Sequence, residues 1–296
     1  MPNAPSLLDP QTFARLQRFS LRARLMVEGY TSGVHRSPFH GFSVEFAEHR
    51  EYAPGDDPRY LDWKVFGRTD KYYLKQFEEE TNLVCHLLLD ASESMGYRGT
   101  VSAVSKLDYA KRAAAALAYI VLHQQDSMGL ATFDNAIRSW VRPSGNPSHL
   151  QDILQVLEQT EAGQGTSLAP ILHEAADRLK KRGVVIVVSD FFDDLDTLSL
   201  GLKHLRYRRH EVIVMHVLDP DEEQFPFDES TMFHGLEGAA SVLAEPRAIR
   251  ARYQKEFQAY VRALRAACHG LSIDYVPLRT DQSLEAILSD YLASRG

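Results

Sequence analysis

From residue 83 onward the chain alternates between short apolar runs and longer segments whose apolar residues recur every three or four positions. The runs Leu83–Leu89, Met128–Phe133, Val184–Val188 and Val212–Leu218 have strand length and are apolar almost throughout, as in strands buried on both faces. A shorter run, Ile137–Val141, predicts a further strand. Between them, Leu107, Ala110, Ala114, Leu117 and Val121 form a core-facing helical stripe. Similar stripes follow at Leu150, Ile153, Leu154 and Leu157, in a helix opened by Asn146-Pro147, and at Leu168, Ile171, Leu172, Ala175 and Leu179, in a helix ending near Gly183. Leu198, Leu202 and Leu205 mark another helix. Ile249, Tyr253, Phe257, Tyr260 and Leu264 mark a long one that stops at Gly270, followed by a strand over Leu271–Val276 and a last helix with Leu284, Ile287, Leu288 and Leu292. Strands alternating with crossover helices require a mostly parallel, doubly wound α/β sheet.

Two stretches break the alternation. Residues 1–82 carry a first helix opened by Asp9-Pro10, then strand-like runs Phe42–Tyr52 and Lys71–Glu78 flanking a turn-rich middle, and so form a β-rich N-terminal extension to the α/β domain of residues 83–296. Residues 221–247 read as an inserted β-hairpin. In the turn-rich middle, Pro54-Gly55-Asp56-Asp57 forms a turn, Arg59 can pair with Asp57 or Asp62, and Trp63 can pack as a core plug.

Composition narrows the class. Of 296 residues, 44% are apolar and 25% charged, ordinary for a globular protein, and the formal charge of −7 disfavours nucleic acid as the main partner. Two cysteines, Cys85 and Cys268, make no disulfide framework; Cys85 sits inside an apolar strand, where a small buried thiol is expected. No apolar run reaches membrane-spanning length, and the N-terminus lacks a signal-peptide pattern, so the expectation is a soluble cytoplasmic protein without membrane insertion.

The candidate chemistry lies at strand ends. The run Leu87-Leu88-Leu89 empties into Asp90-Ala91-Ser92-Glu93-Ser94; Thr166 lies just before the helix of Leu168; and Val184–Val188 ends in Ser189-Asp190. One carboxylate and two hydroxyls, a further hydroxyl and a second carboxylate all come to the carboxyl edge of the sheet. Such hard oxygens suit Mg²⁺ or Mn²⁺ and leave it an open position for a partner's carboxylate. Asp90, Ser92, Ser94, Thr166 and Asp190, in that order, resemble the metal-ion-dependent adhesion site of von Willebrand factor A domains.

The block Arg50-Glu51-Tyr52-Ala53-Pro54-Gly55-Asp56-Asp57-Pro58-Arg59-Tyr60-Leu61-Asp62-Trp63-Lys64, with Gly67-Arg68-Thr69 and Leu74-Lys75-Gln76-Phe77-Glu78-Glu79-Glu80, closely resembles the segment upstream of the A domain in the bacterial family named domain of unknown function 58. Asp219-Pro220, Leu236-Glu237 and Pro246-Arg247-Ala248-Ile249-Arg250 extend the resemblance. It implies a von Willebrand factor A-like fold and a non-enzymatic adaptor that acts with a MoxR-type AAA+ ATPase on a client protein in assembly or maturation.

Enzyme motifs are incomplete. Gly163-Gln164-Gly165-Thr166 lacks the spacing and lysine of a phosphate loop. Ser92 stands where an aspartyl phosphotransferase would carry a second carboxylate, and Asp177 replaces the second histidine of a zinc-protease helix at His173-Glu174-Ala175-Ala176. The competing reading is a Mg²⁺-dependent hydrolase in which the ion, beside Asp193 and Asp194, activates water.

Overall fold

The computed structural model describes residues 44–53, 61–79, 83–163, 165, 167–233 and 241–294. These fall into two compact units, divided between residues 82 and 83. The expected helix at Asp9-Pro10, the turn at Pro54–Asp57, Arg59 and the tip of the inserted hairpin lie outside the described residues.

In the first unit, β1 (Val44–Glu51) pairs antiparallel with β2 (Tyr73–Glu79), and α1 (Trp63–Thr69) lies between them in sequence. Asp62 caps α1, its Oδ1 accepting from the Lys64 and Val65 amides at 2.9 and 3.3 Å. Trp63 is not the core plug expected of it: its side chain is 63% exposed at the outer face of the first helical turn, and Phe66 stacks on Tyr72 instead.

The second unit is built on a six-stranded sheet in the order β10-β7-β6-β3-β4-β5. Its strands are β3 (Val84–Asp90), β4 (Ser127–Phe133), β5 (Ile137–Ser144), β6 (Val184–Ser189), β7 (Glu211–Leu218) and β10 (Asp274–Arg279). All neighbours are parallel except β5, which closes one edge antiparallel to β4. The helices are α2 (Lys106–His123), α3 (His149–Gln159), α4 (Leu168–Arg178), α5 (Leu195–Tyr207), the short α6 (Pro220–Gln224), α7 (Pro246–Gly270) and α8 (Leu284–Ser294). The mostly parallel α/β sheet predicted from periodicity is therefore the observed fold.

Alternation along β3 sends Cys85, Leu87 and Leu89 into a core with α2, α3 and α8, and Leu88 into a second core with α4, α5 and α7. Cys85 and Cys268 are buried free thiols, and burial pushes Cys85 up to about 12, so it is inert at neutral pH. Among the described residues no helix is long and apolar enough to cross a membrane.

Three boundaries differ from expectation. The helix after Asn146-Pro147 begins at His149, because the Asn146 side chain accepts from the Ser148 amide at 3.1 Å and holds a turn ahead of it. Helix α4 stops at Arg178, short of Gly183. The final strand begins at Asp274 rather than Leu271: the Ile273 amide bonds back to the Cys268 carbonyl, and Ser272 turns the chain in the left-handed region at φ 53°. In the insert, α6 precedes the expected hairpin, whose described strands are only β8 (Thr231–Phe233) and β9 (Val242–Ala244).

Candidate metal centre

The sheet's strand order reverses beside β3. The chain leaves β3 through α2 for β4 and β5, then returns by α4 to β6 on the other side of β3. Diverging connections at such a switch point open a crevice beyond the strand ends. Asp90 ends β3, and Asp190 directly follows β6.

Both carboxylates are buried, and each is held by hydrogen bonds. Asp90 Oδ1 accepts from the Ser92 amide at 2.9 Å, and Oδ2 accepts from Ser189 Oγ at 2.6 Å. Ser92 Oγ lies 3.1 Å from Ser94 Oγ, and the Ser94 hydroxyl also bonds to Asp190. Asp190 Oδ1 accepts from the Phe192 amide at 3.4 Å, and Oδ2 accepts from Lys106 Nζ at 2.8 Å. Four of the five residues singled out in the sequence, Asp90, Ser92, Ser94 and Asp190, thus meet at one edge. Thr166 lies outside the described residues. Its neighbour Leu168 is nevertheless tied to the same edge, since its amide donates to Asp193 Oδ2 at 2.7 Å.

The two carboxylates titrate in opposite directions. Burial, reinforced by the charge of Asp190, pushes Asp90 up to about 7 against the bonds from Ser189 and Ser92. Burial also works on Asp190, but the Lys106 ammonium and the donors around it prevail and hold its carboxyl below the usual range. A buried pair of acids with only one adjacent ammonium retains negative charge that a divalent cation would neutralise.

The oxygen set fits such an ion. Ligands about 2.1 Å from an octahedral cation lie about 3 Å from one another, close to the separation of the two serine hydroxyls. Among the described residues no three His, Cys, Asp or Glu side chains are grouped to hold a metal, so the donors described at this edge are two carboxylates with neutral hydroxyls beside them.

Backbone strain shapes the edge. Phe191, buried and not glycine, sits at φ 54° immediately after Asp190. The Tyr260 hydroxyl from α7 clasps it, bonding to the carbonyls of Phe191 and, at 2.9 Å, Asp193. The turn aims Asp190 inward and leaves Phe192 44% exposed over the rim.

Sequence reasoning missed Lys106, Ser189, Glu222 and the capping role of Asp193. Lys106 was legible as a cation in line with the apolar stripe of α2. Glu222 was legible in the capping box that it forms with Asp219. The loop before α2 is clasped to the same corner: Asp219 accepts from the Gly99 amide at 3.1 Å and Ser102 Oγ at 2.7 Å, and Asp221 from the Thr100 amide at 2.6 Å.

The model of the family described as "Protein of unknown function DUF58" matches residues 48–262. An uncharacterized protein of Mycobacterium tuberculosis is 27% identical over 300 residues, covering 98% of this chain and 93% of its own length. Among solved structures, the conserved hypothetical protein BatB from Bacteroides thetaiotaomicron aligns over 72% of this chain and 99% of its own, at 16% identity and a TM-score of 0.47. The SpRpn10 VWA domain aligns over 71% of this chain and 95% of its own, at 12% identity and a TM-score of 0.44.

Proposed function

The chain belongs to the DUF58 family, and from that premise we propose that it is a non-enzymatic, metal-dependent protein-binding adaptor. The observation that carries this reading is the meeting of Asp90, Ser92, Ser94 and Asp190 at the switch point, with negative charge left over and hydroxyls at ligand spacing. Thr166 is the fifth proposed ligand, and Mg²⁺ or Mn²⁺ the proposed ion. Bound there, the ion supplies an electrophilic coordination position that a partner's carboxylate can fill. The resemblance of the N-terminal block to its family makes a MoxR-type AAA+ ATPase the proposed partner, acting with the adaptor on a client protein in the cytoplasm. A formal charge of −7 supports a protein partner over nucleic acid.

The hydrolase alternative needs a base beside the ion, and the two acids it would use, Asp193 and Asp194, are committed elsewhere. Asp193 accepts from the amides of Leu168 and Asp194, and Asp194 caps α5 through the Thr197 amide at 3.0 Å. This supports binding rather than turnover.

The test is a surface-binding titration of the ATPase against wild type, Asp90→Ala and Ser92→Ala, each with Mg²⁺ or EDTA. The expected result is binding by wild type with Mg²⁺ and loss in the other conditions. Equal affinity throughout would move the interface away from this edge.

A further inference from the structure

Lys106 has no part in the binding reading above, yet it is the most deeply buried cation at the site. Its side chain is 1% exposed, with Nζ 2.8 Å from Asp190 Oδ2 and 2.6 Å from Glu222 Oε1. The Phe192 and Tyr97 rings lie 5.3 and 5.9 Å from the ammonium. Glu222 is itself fixed, since its second oxygen accepts from the Asp219 amide at 3.0 Å. A lysine at the first position of a helix would normally reach water; this one is sealed between two acids from distant parts of the chain.

An ammonium and a divalent ion make different demands on Asp190. The ammonium is a saturated point charge that engages Asp190 Oδ2 by hydrogen bonding and offers no coordination position. A Mg²⁺ or Mn²⁺ ion needs oxygen at about 2.1 Å and must either draw Asp190 from Lys106 or reach it through water. Two cations so close together also repel each other in a poorly screened site. We propose that Lys106 is a tethered cation of this centre, which keeps Asp190 as its own counter-ion, competes with the divalent ion for that carboxylate and so sets the ion's affinity. The proposal rests on the metal-binding reading. It makes the bound ion exchangeable rather than permanent, and Glu222 tunes the competition by sharing the ammonium.

The test is titration of wild type, Lys106→Met, Lys106→Arg, Glu222→Gln and the double variant Lys106→Met/Glu222→Gln with Mn²⁺ at fixed pH, read by electron paramagnetic resonance of the free ion. With folding checked by circular dichroism, Lys106→Met is expected to bind at least about tenfold tighter and Glu222→Gln about tenfold weaker, because the ammonium then belongs to Asp190 alone. Lys106→Arg should stay near wild type. The double variant removes one charge of each sign and leaves the cluster's net charge unchanged, so it too should bind tighter than wild type.

A merely structural lysine would weaken Mn²⁺ binding in every lysine variant and leave Glu222→Gln unchanged, and a double variant no tighter than wild type overturns the proposal. Should the lysine variants fail to fold, Glu222→Gln decides alone: unchanged or tighter binding refutes the competition. If wild type binds no Mn²⁺ but the double variant does, the tethered cation stands and the metal-dependence of wild type falls. If neither binds, both fall.

Discussion

Asp90→Asn separates the electrostatic cost of the centre from its ligand role. The buried carboxyl of Asp90 is pushed up to about 7 from an ordinary 3.8. The folded state therefore holds a proton there that the unfolded state releases. Without metal, this site's contribution to stability is complete below about pH 4, declines as pH rises through the window from 3.8 to about 7, and levels off above it. At about 1.4 kcal/mol for each pH unit, the cost at pH 8 is about 4 kcal/mol. Asparagine keeps the shape and the acceptor for the Ser92 amide, and its amide group can donate to Ser189 Oγ, which rotates to accept. Metal-free Asp90→Asn should accordingly be more stable than metal-free wild type at pH 8 by up to about 4 kcal/mol and no more stable at pH 4. The assay is urea unfolding from pH 4 to 8 in EDTA, taking the difference between the two proteins so that the titrating imidazoles cancel. Saturating Mg²⁺ should then stabilise wild type at pH 8 and leave the variant unmoved. A difference that stays flat with pH would refute the claim that Asp90 carries this charge.

Other outcomes follow from single contacts. Gly99→Ala places a Cβ 2.0 Å from Asp219 Oδ1, a rigid and buried neighbour, and should cost at least about 2 kcal/mol in chemical denaturation. His86, whose buried Nε2 has no hydrogen-bond partner among the described residues, is held down at about 4, chiefly by burial. It favours the fold above pH 6.5 and loses that contribution as pH falls towards 4, so His86→Leu should flatten acid unfolding over this window, which a thermal-melt series would show. Asp193→Ala leaves the Leu168 amide without its carboxylate at the start of α4 and should lower stability by about 1 kcal/mol; hydrogen exchange should quicken at that helix end, and unchanged protection would count against the cap.

The elements were legible because their signals are local. Strand runs such as Val184–Val188 and stripes such as Leu107, Ala110, Ala114 and Leu117 carry their own period, and the observed parallel sheet follows from their alternation. The strand-end acids and serines were legible for the same reason: a polar residue that ends a buried run must emerge at the sheet edge. Chain segments far apart in sequence decided the rest. Lys106 meets Asp190 across 84 positions and Glu222 across 116, contacts that exist only because the crossovers bring α2, β6 and α6 to one corner. Asp193, which reads in sequence as an acid beside the proposed ion, caps a helix 25 residues earlier. Trp63 reads as a core residue from its size, but its place on the first turn of α1 leaves it facing outward. Periodicity reports which face of an element is buried; it carries no information about which distant charge will be waiting there, and the character of this site depends on that pairing.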